Sequence, residues 1–107
     1  MSFARKGPAG FSVNPGEILK EEFRVPLSLS GYALAKALGV PAQSVNDIVL
    51  RKRGVSAEMA VRLAKYFSTS AELWMNLQSA YELSAAQKKL KARVEKIAPL
   101  DDGSRIA

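Results

Sequence analysis

The segment from Gly31 to Leu50 constrains the fold of this chain more than any other part of its sequence. It contains two runs of helix-forming residues separated by a short turn at Gly39, which is the pattern of a helix-turn-helix. Two helices that cross steeply need a small residue where they meet, and Ala35 supplies it. The predicted core of this motif consists of Leu34, Ala35, Leu38, Gly39, Val40, Val45 and Ile48.

The second helix of the motif is predicted to have a polar outer face. At about 100° per residue, with Val45 facing the core, Gln43 and Asn46 point outward, and Ser44 lies on a flank. In a helix-turn-helix, the N-terminal end of this helix enters the major groove of DNA. Amides pair bidentately with adenine, and a hydroxyl can contact bases or phosphates. We therefore predict that Gln43, Ser44 and Asn46 read bases.

A basic cluster, Arg51-Lys52-Arg53, follows this helix. The chain has a net charge of +6, from 16 Lys+Arg against 10 Asp+Glu. We predict that Arg51, Lys52 and Arg53 contact the DNA backbone, although Lys52 falls on the inner side of the helical projection. Asp47 points outward. Because a carboxylate repels phosphate, we expect it to pair with a nearby base or to lie off the DNA.

Helix-start signals divide the rest of the chain into further helices. Asn14, Ser30 and Ser56 are capping residues placed before runs of helix formers. Either Thr69 or Ser70 caps a fifth helix. No stretch alternates between apolar and polar residues as a strand does, so the predicted class is all-α.

The predicted organisation is a loose arm over residues 1–13, a helix-turn-helix domain over residues 14–83, and a C-terminal part over residues 84–107. Apolar residues recur at threes and fours from Leu83 to Ile97, which predicts an additional helix from Ser84 to Ile97 followed by a frayed tail. The arm has a basic pair but no hydrophobic stretch after it, so we do not expect a signal peptide.

The fifth helix carries more large apolar residues than the core of a small domain needs, namely Trp74, Leu77 and Tyr81. One recognition helix covers too few base pairs for tight specific binding, and two-fold sites place their halves about 34 Å apart. We therefore predict a homodimer with these three residues at its interface. The alternative is that Trp74 is an ordinary core residue.

Several segments resemble the HigA/VapI antitoxins, which are helix-turn-helix proteins of the phage-repressor type: Asn14–Leu19, Leu34–Pro41, Arg53–Ala60 and Leu73–Gln78. The resemblance covers Val13 to Leu83. It implies a five-helix, lambda-repressor-like domain that binds double-stranded operator DNA, usually as a homodimer. It also implies neutralisation of a HigB-like, RNA-cleaving toxin and repression of the shared operon.

Two further expectations depend on this resemblance. Related repressors often carry Gln at the position of Gly31, where it contacts phosphate, so one backbone contact is expected to be missing. The lysines of the additional helix disfavour direct docking on a basic toxin, because like charges repel. We expect that helix to pack on its own domain or in the dimer.

Composition narrows the remaining classes of function. Cysteine and histidine are absent, which removes the thiolate zinc site, the commonest general base and the commonest metal ligand. We therefore expect no enzyme, no metal and no cofactor. No apolar run approaches the roughly 18 residues that cross a membrane, so we expect a cytoplasmic protein. The open alternatives are a stand-alone transcriptional regulator without a toxin and a helical adaptor that binds only protein.

Overall fold

The computed structural model describes residues 13–100, which form five helices and no strand. Helix α1 spans Pro15–Ile18 and continues as a π-helix over Leu19–Arg24. The later helices are α2 (Gly31–Leu38), α3 (Ala42–Val49), α4 (Ala57–Phe67) and α5 (Ala71–Glu95). The all-α prediction is therefore confirmed. The predicted arm, apart from Val13, and the end of the predicted tail lie outside the described residues.

The capping residues begin the helices as the sequence predicts. Asn14 accepts a hydrogen bond through Oδ1 from the backbone N–H of Gly16, at 2.7 Å. The later caps each accept from the backbone N–H three residues ahead, at distances of 3.0, 3.1 and 3.0 Å: Ser30, Ser56 and Ser70. Each of these bonds satisfies an N–H that the first turn of a helix leaves unpaired, which fixes where the helix starts.

Trp74 lies inside the core, with none of its surface exposed. Its ring centroid is 5.3 Å from that of Phe23 and 6.4 Å from that of Phe67, and its indole N–H donates to Thr69 Oγ1 at 2.8 Å. The prediction that Trp74 lies at a dimer interface is therefore wrong. Its large ring packs where the π-helix, α4 and α5 meet, so all of its surface is buried within the domain and none is left for a partner chain.

Helix α5 runs without a break from Ala71 to Glu95, so the additional helix expected to start at Ser84 is the second half of α5. No glycine or proline interrupts this stretch, and most of its residues are good helix formers, so nothing ends the helix at Ser84. Leu77 packs partly buried against the core, and Tyr81 is half-buried. Beyond Tyr81 nearly every side chain of α5 is exposed.

Helix α1 packs against the C-terminal part of α3 through Gly16. A Cβ atom at this position would overlap the backbone carbonyl oxygen of Ile48, so the two backbones approach too closely for any side chain. Ile18 and Leu19 follow on the same segment and are fully buried. Helix α3 is therefore held by α1 as well as by α2.

Replacing Gly16 by alanine should destabilise the domain by about 1–3 kcal/mol, because the added methyl group forces α1 away from α3. Urea unfolding followed by circular dichroism measures the loss. Gly31→Ala is the matched control, since the nearest atoms to its Cβ would all belong to side chains, with Asn46 Oδ1 the closest at 3.0 Å. Equal unfolding midpoints for the two variants would show that the α1–α3 contact is not tight.

Candidate nucleic-acid interface

The turn between α2 and α3 has the geometry that the sequence motif requires. Gly39 ends α2 with φ at 73°, a left-handed conformation that glycine adopts without steric cost. The N–H of Val40 then donates to the carbonyl of Ala35 at 3.0 Å. Arg62 of α4 donates to the last carbonyl of α2, that of Leu38, at 2.6 Å, which places a positive charge at the negative end of that helix.

Of the seven residues predicted to form the core of the motif, all but Gly39 are at least partly buried; Gly39 lies in the turn and is exposed. The crossing of α2 and α3 is lined by side chains that are at most 6% exposed: Leu34, Ala35, Leu38, Val45 and Ile48. Val40 is partly buried and packs against the same cluster. Burial of this side of α3 leaves the opposite side of the helix facing solvent.

Gln43 and Asn46 share the exposed side of α3. They are three residues apart, so they are neighbours on the helix surface. The amide of Asn46 lies over the start of α2, where its Oδ1 would be 3.0 Å from a Cβ atom at Gly31. The missing side chain at Gly31 therefore leaves room for the Asn46 amide. Leu50, just beyond α3, is also exposed.

Ser44 does not lie on this exposed side. It is only 9% exposed, and its hydroxyl accepts a hydrogen bond from Arg53 Nη1 at 3.1 Å. This placement differs from the expected flank position and does not favour a direct base contact. Its visible role is to hold the guanidinium of Arg53.

The basic cluster forms a turn after α3 rather than the end of the helix. Helix α3 stops at Val49, and Arg51 adopts a left-handed conformation with φ at 64°. The expectation that Lys52 points inward is therefore wrong: the helical projection does not extend to it, and it is exposed. The backbone N–H groups of Lys52 and Arg53 both donate to the carbonyl of Asp47, at 2.8 and 3.2 Å, which fixes the turn.

Two carboxylates lie beside these cations. Arg51 Nη2 is 3.4 Å from Glu17 Oε1, which connects the basic turn to α1. Arg53 Nη2 is 3.6 Å from Asp47 Oδ2, and Asp47 Oδ1 accepts from Gln43 Nε2 at 2.8 Å. The contact between Gln43 and Asp47 follows the i, i+4 spacing of a helix and could have been found in the sequence. The contact with Glu17 spans distant parts of the chain and has no local signal.

The described residues contain no group of three or more acidic side chains, histidines or cysteines placed to hold a metal ion. Within the same range, no helix has the length and apolar character needed to cross a membrane. The buried side-chain nitrogen and oxygen atoms between residues 13 and 100 all have hydrogen-bond partners. The groups that this surface offers to a partner are an exposed pair of amides and, beside them, a turn that carries three cations.

Comparison with known proteins finds the same fold and sequence pattern elsewhere. A family model described as helix-turn-helix matches residues 20–74. The chain is 44% identical to virulence-associated protein I of Dichelobacter nodosus, over 88% of this chain and 86% of that protein. It is 33% identical to antitoxin HigA-1 of Vibrio cholerae, over 82% of this chain and 83% of that protein.

A solved structure of Pseudomonas aeruginosa antitoxin HigA with the higBA promoter superimposes on the chain with a TM-score of 0.80. The two sequences are 49% identical, and the match covers 84% of this chain and 99% of that one. The similarity therefore includes α5 beyond the residues of the family model.

Proposed function

We infer the function of this chain from its membership of the helix-turn-helix family that includes the HigA antitoxins. We propose that it is a sequence-specific DNA-binding antitoxin, which represses its own operon and neutralises a small, HigB-like ribonuclease toxin. The observation that carries the DNA-binding part is the exposed amide pair of α3, Gln43 and Asn46, beside the basic turn. A bacterial operator lies in the cytoplasm, so the proposal includes that location. It needs no catalytic residue.

In the proposed complex, α3 lies in the major groove with its N-terminal half against the bases. Gln43 and Asn46 supply the base contacts, and Ser44 acts by holding Arg53 rather than by touching a base. Arg51, Lys52 and Arg53 contact phosphates beside the groove, which adds affinity without sequence preference. The exposed Leu50 is placed to contact a thymine methyl group.

A mobility shift with the DNA upstream of the chain's own gene tests this proposal. The wild-type protein should bind that DNA more tightly than an unrelated duplex. Gln43→Ala and Asn46→Ala should each cost about 1–3 kcal/mol, and the loss should disappear when one base pair of the site is changed. Unchanged affinity and base preference in both variants would contradict the assignment.

Lys52→Gln is the control for the same experiment, because this exposed side chain lies outside the amide pair. It should weaken binding to every duplex alike. The slope of log K against log salt concentration should become shallower by about one. A changed base preference with an unchanged salt slope would show that Lys52 reads sequence.

We propose that the chain forms a homodimer through the second half of α5. Leu83, Leu90 and Val94 lie there at spacings of seven and four residues, so they form one stripe, and they are 60, 36 and 51% exposed. Ile97, which is 68% exposed, follows just after the helix ends at Glu95. At 100° per residue this stripe lies roughly opposite Leu77 and Tyr81, which face the chain's own domain. A helical segment of this length is marginal without packing, and a second copy supplies it.

The double variant Leu90→Glu/Val94→Glu should be a monomer at micromolar concentration, because it places four carboxylates in the proposed interface of two chains. Analytical ultracentrifugation measures the change. Val61→Glu is the control, since Val61 is as exposed as the stripe but lies on α4. A double variant that remains dimeric would place the interface elsewhere.

Toxin neutralisation is the part of the proposal that depends on the family. The second half of α5 carries Lys88, Lys89, Lys91 and Arg93 around its apolar stripe. A basic ribonuclease is repelled by such a surface, which supports a toxin contact elsewhere on the chain.

A chain ending at Leu83 should therefore lose dimerisation more than it loses toxin binding. Co-purification with the product of the neighbouring gene measures toxin retention, and sedimentation measures the dimer. A truncated chain that stays folded and dimeric but no longer retains the toxin would make the second half of α5 the neutralising element. The absence of any toxin gene beside this one would favour a stand-alone regulator.

A further inference from the structure

Asp47 is an acidic residue on a surface that is proposed to meet DNA. A carboxylate at such a position opposes phosphate binding, so its presence needs a compensating role. The structure shows that it is not simply solvated: its side chain is only 14% exposed, and each of its two oxygens has a separate partner. It therefore acts on the neighbouring side chains.

The contacts of Asp47 form a continuous chain across α3 and the basic turn. Gln43 Nε2 donates to Oδ1 at 2.8 Å, and Arg53 Nη2 lies 3.6 Å from Oδ2. Arg53 Nη1 in turn donates to Ser44 Oγ at 3.1 Å. One carboxylate thus holds a proposed base-reading amide and a proposed phosphate-binding guanidinium in a fixed relation to each other.

The first contact decides which way the amide of Gln43 faces. A carboxylate accepts hydrogen bonds and cannot donate them, so only the NH₂ end of the amide can face Asp47. One N–H of Gln43 is used in this way. The second N–H and Oε1 remain available as one donor and one acceptor. This is the pair that adenine requires at its N7 and N6 atoms.

We propose that Asp47 is a positioning residue that sets the base preference of Gln43 by fixing the orientation of its amide. The inference rests on the proposed DNA-binding function and assigns the specificity of that site. Without Asp47, the amide is free to turn over, and its donor and acceptor exchange places. Asp47 and Arg53 also connect base reading to the phosphate contact, because movement of the guanidinium releases one partner of the carboxylate.

Asp47→Asn is the primary test. The side chain keeps its shape, but its amide can pair with Gln43 in either orientation, so the orientation is no longer fixed. Binding is measured on the operator and on duplexes changed at the base pair that Gln43→Ala identifies. The variant should lose about 5- to 10-fold of the preference at that base pair. It should add no further loss in the Gln43→Ala background, because there the residue it positions is absent.

Asp47→Glu keeps a carboxylate, which can only accept a hydrogen bond from Gln43, but moves its oxygens by one methylene. It should lose less of the preference than Asp47→Asn, and an equal loss in the two variants would contradict the proposed role of the acceptor-only group. Thermal unfolding of both variants shows that they remain folded. A wild-type preference retained in Asp47→Asn, while Gln43→Ala abolishes it, would overturn this inference and leave the proposed function standing. Absence of any operator preference in the wild-type protein would overturn both.

Discussion

The packing of α3 is the constraint on which the rest of the structure depends. This helix has only eight residues, and isolated helices shorter than about 12–15 residues are marginal in water. Its position is therefore set by its neighbours: Val45 and Ile48 are buried against the core, and the carbonyl of Ile48 lies against Gly16 of α1. Because the buried side of α3 holds the helix in place, its other side can carry polar residues, which are the residues proposed to bind DNA.

The sequence predicted those parts of the fold that depend on local signals. Caps such as Ser30 and Ser56 act on backbone groups three residues away, and the turn at Gly39 depends on the conformation of one residue. Their consequences can be worked out without the rest of the chain. The continuity of α5 through Ser84 was missed, because a serine that can cap a helix can also lie inside one when no glycine or proline ends it.

The candidate site was predictable only in part, for a related reason. The periodicity of α3 placed Gln43 and Asn46 on its exposed side, as the structure does. It did not predict that Arg53 folds back over Ser44, because the helix ends before Arg53 and a helical projection no longer applies. Nor did it separate the core role of Trp74 from an interface role, since apolar periodicity shows that a residue is buried but not what buries it.

Two of the three cations in the basic turn are near carboxylates. Arg51 lies beside Glu17 and Arg53 beside Asp47. In both pairs the arginine side chain is more than half exposed, so each pair contributes little to stability, about 0–1 kcal/mol. The main effect of the carboxylates is on what the arginines can bind. A guanidinium that already has a carboxylate neighbour gains less binding free energy from contact with a DNA phosphate. In the proposed complex, the surface would therefore bind DNA that also satisfies the amides more tightly than DNA that offers only charge.

The unbroken course of α5 also sets the geometry of any assembly built on it. The helix has one end in the core, at Trp74 and Gln78, and its exposed apolar stripe begins at Leu83. In an α-helix each residue adds about 1.5 Å of length and 100° of rotation. A single insertion between Gln78 and Leu83 would swing the stripe by more than a quarter turn about the helix axis. The number of residues in that short interval therefore sets the angle, about the axis of α5, between the domain and any partner that covers the stripe.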